Sequence, residues 1–255
     1  LIPDYNLFDL GGFVFTQYHK DKLSISGGLR FDNRHVEGKE MMDDNDVKFT
    51  AFSKDFSNIS GSAGISYEAS KKLNVKFNIA RGFRAPTLAE LSSNGAHEGT
   101  NRFEIGNRSL QSETSLQADA GLELNSEHIT LGAGIFYNAV QDFIYYRKML
   151  NSAGGDSIMV DPGSGDLLNV FEFDQQNAHL YGIEFNMDFH PHPLDWLHFE
   201  NTFSLTKARF SQPVDGSRNV PGIPAARYLS QLKGNLPKGK RVRNLYASLE
   251  SDYTF

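Results

Sequence analysis

Imidazoles and carboxylates are the groups in this sequence that could hold a metal ion, and a few stretches bring them together. In SNGAHEGTNRFEIGN, His97 is followed directly by Glu98. Zinc takes three or four such ligands, so His35, His179 or a residue of another segment would have to complete a site there. His190-Pro191-His192-Pro193 sets two imidazoles two residues apart, but the prolines fix a tight turn, and a solvated turn is the expected reading. Met42-Asp43-Asp44-Asn45-Asp46 and Asp161-Pro162-Gly163-Ser164-Gly165-Asp166 offer carboxylates to calcium. Neither keeps the spacing and terminal Glu of an EF-hand loop, so both read as solvated loops.

Other chemistries are poorly supported. No Ser-His-Asp elbow, P-loop or dinucleotide fingerprint occurs, and no spacing singles out a carboxylate pair for hydrolysis. The expectation is no enzyme and no cofactor. There is no cysteine, hence no disulfide framework and no thiolate metal site. A net charge of -6 argues against a nucleic-acid partner.

Most of the remaining charge stands in a regular alternation. Leu116, Ala118, Ala120, Leu122 and Leu124 interleave with Ser115, Gln117, Asp119, Gly121 and Glu123. After the turn Ser126-Glu127, apolar residues recur at Ile129, Leu131, Ala133, Ile135, Tyr137 and Ala139. A period of two sends alternate side chains to opposite faces of a sheet. These runs reach about 12 residues, twice an ordinary strand, and suit a tilted bilayer crossing. Leu23, Ile25, Leu29 and Phe31 oppose Ser24, Ser26, Arg30 and Asp32 in the same way, as Ile183, Phe185, Met187 and Phe189 oppose Glu184, Asn186 and Asp188.

Ten strands are expected near 7–18, 22–34, 57–68, 72–83, 114–125, 128–144, 176–190, 195–208, 226–236 and 241–253. Short turns at His19-Lys20-Asp21, Ala69-Ser70-Lys71, Ser126-Glu127, Pro191-His192-Pro193 and Lys238-Gly239 alternate with long loops near 35–56, 84–113, 145–175 and 209–225. A membrane barrel places its short turns on one side and its long loops on the other. A soluble β-sandwich, the competing architecture, uses strands of about 5–6 residues. Trp196, Phe143, Tyr145 and Tyr146 fall near strand ends, where an aromatic girdle would sit. A charge facing lipid at mid-depth costs about 2–4 kcal/mol. The face bearing Arg30, Asp32, Asp119, Glu123 and Glu184 is therefore expected to line a wet lumen, with Arg81 and Arg84 assigned there as well. The expected fold is all-β: an antiparallel transmembrane β-barrel portion of about ten long meander strands.

From Ala80 the chain reads ARGFRAPTLAELSSNGAHEGTNRFEIGNRSLQSETS. Gly82-Phe83-Arg84-Ala85-Pro86, Ala89-Glu90-Leu91, and Gly106-Asn107 followed by Leu110, Glu113 and Ser115 closely resemble the signature stretch of TonB-dependent outer-membrane receptors. Tyr181-Gly182-Ile183-Glu184 is similar to that family's Y-G-x-E strand start, and Val220-Pro221-Gly222-Ile223-Pro224 with Arg227 to its P-G-I-P…R segment. The resemblance spans essentially the whole chain. It implies a bacterial outer-membrane protein whose 22-stranded barrel surrounds an N-terminal plug domain. The partners it implies are membrane lipid, the TonB complex acting through the plug, and a small nutrient ligand, an iron-siderophore or other metal complex. The lumen residues Arg30, Asp32, Arg81, Arg84, Asp119, Glu123 and Glu184 would then face the plug. Asn94, Asn101, Arg102, Glu104, Tyr146 and Arg147 would meet the ligand from the loops. His97 and Glu98 become metal candidates because some metal-importing members carry a similar N-G-x-H segment. Residues 1–255 would be a partial barrel domain, with plug, TonB box, signal peptide and last strands absent. A self-contained ten-stranded outer-membrane pore or enzyme would instead pair its first strand with its last. A soluble carbohydrate-binding sandwich would seal Leu122 and Ile135 under a second layer.

Overall fold

The alternation read from the sequence is what the backbone follows. A computed structural model describes residues 2–43, 46–97, 99–161, 164–235 and 245–255. In chain order the elements are β1 (Tyr5–Lys20), β2 (Leu23–Gly38), β3 (Met41–Asp43), β4 (Asp46–Phe49), β5 (Phe52–Glu68), β6 (Leu73–Arg84), α1 (Leu88–Ser92), β7 (Asn94–Ala96), β8 (Arg102–Ile105) and β9 (Glu113–Asn125). They continue with β10 (Ile129–Lys148), β11 (Ile158–Val160), β12 (Leu167–Phe189), β13 (Leu197–Val214), β14 (Ser217–Asn219), β15 (Arg227–Asn235) and β16 (Tyr246–Thr254). The ten expected strands are β1, β2, β5, β6, β9, β10, β12, β13, β15 and β16, each hydrogen-bonded to the next in one sheet. The expected turn at Lys238-Gly239 lies outside the described residues.

Several strands run well past a bilayer crossing; β10 has 20 residues and β12 has 23. The excess lies on the long-loop side, where β3–β4, α1, β7–β8, β11 and β14 decorate the connections. β10 bends there, with a register shift between Val140 and Phe143 and Asp142 at φ 55°. A bulge of this kind re-aims the residues that follow it.

Register carries each face unbroken from strand to strand. Leu122 pairs with Ala133, Ala133 with Phe185, and Phe185 with Phe203. On the other side Glu123 pairs with Gly132 and Gly132 with Asn186. The apolar face is uncovered: Leu122 is 40% and Ile135 58% exposed. With no second layer over these residues, the sandwich is excluded. β1 and β16 end the strand order without pairing to each other, so the sheet is open and the self-closed ten-stranded pore is not formed.

The packed core sits at one end of the sheet. Val36, Phe56, Leu88, Leu91, Ile144 and Phe173 form one buried cluster. Tyr145, Ala178, Ala208, Phe210 and Val220 form a second, and Phe103, Leu168 and Val170 a third. All belong to the long loops or the strand ends beside them. Gly182 lets the wall stay thin, because a Cβ there would lie 2.4 Å from the carbonyl oxygen of Leu205 and 2.5 Å from the Phe136 ring.

Candidate functional site

Charged side chains on the polar face pair across and along the strands. Lys76 meets Glu123 at 2.6 Å, and Asp119 accepts from Gln117 at 2.6 Å and from Asn78 at 3.3 Å. Glu184 stands with Lys76, Asp119 and Phe136 around one shallow concavity. Nearer the long-loop rim, Arg34 donates to both oxygens of Asp9, each at 2.8 Å, and Arg30 bonds Asp32. Those four residues and Arg84 line a polar cleft of about 420 Å³. Fixed, paired charge of this density belongs to a face that meets water or another polar surface.

At the top of β6 the chain turns into a clamp. Pro86 lacks an N–H and ends strand pairing. Thr87 then caps α1 in a reciprocal box: its Oγ1 accepts from the N–H of Glu90 at 3.2 Å, and Glu90 accepts from the N–H of Thr87 at 2.7 Å. Arg84 binds Glu90 at 2.8 Å and Glu113 at 3.2 Å, and Glu113 accepts from the N–H of Ile144 at 3.0 Å. One guanidinium thus joins β6, α1 and β9, and the Glu113 carboxylate carries the link on to β10. Gly106 closes the loop, donating to the Ser93 carbonyl at 2.7 Å, where a Cβ would lie 2.3 Å from the Ser92 nitrogen. Asn107 then donates to the Phe173 carbonyl at 3.1 Å.

The loops above are bonded to one another. Arg102 lies over the rings of Tyr146 and Phe171, at 5.8 and 5.2 Å. Arg147 bonds Asp215 at 2.7 Å and Asp174 at 3.3 Å. Hydrogen bonding from Arg147 holds the Asp215 carboxyl below the usual carboxylate range. Asn94 donates to the Lys48 carbonyl at 3.3 Å, and the Asn101 carbonyl accepts from the N–H of Asn169 at 3.3 Å. A cleft of about 540 Å³ opens among them, bringing Asp43, Asp46 and Asp161 to one place with Lys48, Asn94, Phe103 and Met159. In the sequence these acidic stretches are separate solvated loops; only the fold brings them together.

The family model described as TonB dependent receptor-like, beta-barrel matches residues 2–254. The chain belongs to that family. It is an antiparallel portion of an outer-membrane β-barrel. It is 22% identical over 180 residues to the ferric enterobactin receptor of Pseudomonas aeruginosa, a match covering 65% of this chain and 21% of that protein. It is 26% identical over 161 residues to transferrin-binding protein A of Haemophilus influenzae, covering 63% of this chain and 16% of that one. The chain therefore spans about a fifth of these relatives. Among solved structures, the copper transporter OprC superposes with a TM-score of 0.72 at 16% identity, over 91% of this chain and 33% of that one. The Serratia marcescens hemophore receptor HasR, solved with its hemophore HasA and heme, gives 0.66 at 16% identity, over 91% and 42%. At such identities the likeness is one of fold.

Within this TonB-dependent receptor barrel, the residues singled out from the sequence divide. Arg30, Asp32, Arg84, Asp119, Glu123 and Glu184 share the polar face. Arg81 does not, and its lumen assignment is corrected. It pairs with Gly61 and Leu116, on the face of Phe77 and Ile79, and its guanidinium turns along the sheet to the Ile59 carbonyl. A long cationic side chain on an apolar face bends toward polar partners in this way. His97 bonds the nearly buried Glu104 at 2.9 Å; Glu98 lies outside the described residues. The proposed completing ligands are engaged elsewhere, His35 with Asp55 at 2.8 Å and His179 with Tyr137 at 2.8 Å. His97 and Glu104 pair on neighbouring arms of the β7–β8 hairpin, a partnership the sequence spacing alone left open.

Proposed function

We propose that this chain forms part of the wall of an outer-membrane receptor that imports a small nutrient with energy relayed by the TonB complex. The nutrient is an iron-siderophore or another metal complex. One observation carries this reading: a wall with an apolar outer face and a charged inner face, bearing on one rim long, internally bonded loops around an acidic cleft. Such a wall encloses water and offers a ligand a mouth at one end. Asp43, Asp46 and Asp161 outnumber Lys48, which pairs with Asp43 at 2.7 Å, so the cleft keeps a negative potential that favours a neutral or cationic metal complex over a polyanionic one. The ferric enterobactin receptor and the copper transporter, to which the chain is similar, support a metal-bearing ligand. Coupling to TonB acts through a plug seated against Arg30, Asp32, Arg84, Asp119, Glu123 and Glu184, and the role is transport, without catalysis.

Growth of the parent bacterium under iron limitation on a panel of ferric siderophores and other metal complexes tests the reading. The expected result is that use of one class of compound is lost both without the receptor and without TonB. Uptake of every compound unaffected by loss of the receptor would overturn it. At the level of residues, His97→Ala is expected to weaken ligand binding by withdrawing the partner of Glu104. Unchanged affinity would remove His97 from the ligand site.

A further inference from the structure

At the opposite rim, short turns bring together groups that nutrient capture does not use. His128 precedes β10, His190 follows β12, and His198 is the second residue of β13. The backbone N–H of His190 donates to the His128 carbonyl at 3.0 Å, which holds two turns side by side. Strand alternation sets Asp188 and His198 on the charged face, Asp188 pairing with Glu200 in register. Nδ1 of His198 lies 3.0 and 3.2 Å from the two Asp188 oxygens, and Nδ1 of His190 lies 3.6 Å from one of them. The rings of His190 and His198 are 5.3 Å apart.

Asp188, His190 and His198 can each offer a ligand atom within 4.8 Å of the other two, the only such trio among the described residues. A tetrahedral ion with bonds of about 2.0–2.1 Å holds its ligand atoms roughly 3.3 Å apart. The two edges to Asp188, 3.0 and 3.6 Å, bracket that spacing. A second observation points the same way. Nδ1 of His190 and Nδ1 of His128 are both shielded from solvent and lack a hydrogen-bond partner, and these rings lie 6.3 Å apart. Buried polar atoms are nearly always satisfied, so the orphan Nδ1 of His190 beside Asp188, with that of His128 across the turn and 4.0 Å from Asp195, implies a missing partner.

We propose that Asp188, His190 and His198 bind a divalent transition-metal ion of the zinc class on the inner wall at the short-turn rim. Two imidazoles and one carboxylate suit zinc and its neighbours rather than calcium or magnesium. The fourth position falls on the side of His128. Bound there, the ion ties the β12–β13 connection together next to the β9–β10 turn. The solvated reading of His190-Pro191-His192-Pro193 survives for one histidine only. His192 is 69% exposed and bonds Asp195 at 3.2 Å, whereas His190 turns inward.

The test uses the intact receptor in detergent, purified without a histidine tag and stripped with chelator. Zinc is titrated by calorimetry and cobalt by its visible absorption. Parent receptor is expected to bind one ion whose cobalt spectrum is tetrahedral. His190→Ala and His198→Ala should each weaken zinc binding by more than the roughly 10–100-fold that loss of an outer-shell partner costs; His192→Ala should leave it unchanged. His198→Asn, which can still hydrogen-bond Asp188, separates loss of a ligand from loss of folding: it should fold as the parent and still lose zinc. Parent-like zinc affinity in the His190→Ala/His198→Ala receptor would overturn the proposal, as would dependence on His192 instead.

Discussion

The middle of the wall and its long-loop rim are built on different principles. Mid-wall, each strand is one side chain thick on either face, and Leu122 and Ile135 remain open. Order there comes from the backbone ladder and from the medium that each face meets. At the rim, Leu91 and Leu110 are completely enclosed, and Arg84 ties β6 to α1 and β9. Stability there is of the ordinary globular kind, with a core, caps and satisfied polar groups. The same meander therefore responds to substitution in two ways. Rim changes should act through packing in any solvent, and mid-wall changes through the surroundings.

The largest effect is expected at Gly106. A Val there would drive a Cβ to within 2.3–2.7 Å of the backbone at Leu91–Ser93, undoing the clamp; protease cleavage within 85–112 on intact cells reports it. Leu91→Ala should cost about 2–5 kcal/mol as a buried large-to-small change, seen in thermal unfolding in detergent. Leu122→Lys removes no core contact, yet it should cost about 2–4 kcal/mol in a bilayer and much less in an aqueous unfolding assay of loop protection. If Leu91→Ala and Leu122→Lys depended equally on the bilayer, the distinction would fail. Glu123→Gln breaks the exposed Lys76 pair and should change stability by no more than about 1 kcal/mol. The smallest effect concerns pH. Arg147 lowers the Asp215 carboxyl in the folded state, so its contribution is complete above the unfolded value of about 3.9 and is lost as pH falls through the folded one. The melting difference between parent and Asp215→Asn should therefore hold from pH 7 to 5 and narrow only in stronger acid.

Strands were legible because alternation is a local signal. The ten runs, their order and the sorting of turns by length all follow from a period of two and the absence of long apolar stretches. The same rule, applied two residues past Ile79, places Arg81 on the apolar face; its charge suggested the lumen. Signals for the rim were partly present: Thr87-Leu88-Ala89-Glu90 is a capping-box pattern at the start of α1. The short strands β7, β8, β11 and β14 were too brief to announce themselves. Convergence of Asp43 with Asp161, and of His128 with His190 and His198, was invisible because the first pair meets only through the packing of separate loops and the histidines only through neighbouring turns. The family motifs turn out to specify the clamp: Arg84, Glu90, Gly106 and Asn107 bind other parts of the chain.

The account depends most on which medium each face of the wall meets, and the chain's lack of cysteine makes that measurable. Spin labels at Leu122→Cys and Glu123→Cys, in the receptor reconstituted into bilayers, would be read for collision with oxygen and with a water-soluble nickel chelate. The label at Leu122 should collide with oxygen and be shielded from nickel, and the label one residue on should show less oxygen and more nickel. Equal accessibility at the two positions, or the reverse pattern, would contradict a wall that is greasy outside and wet within.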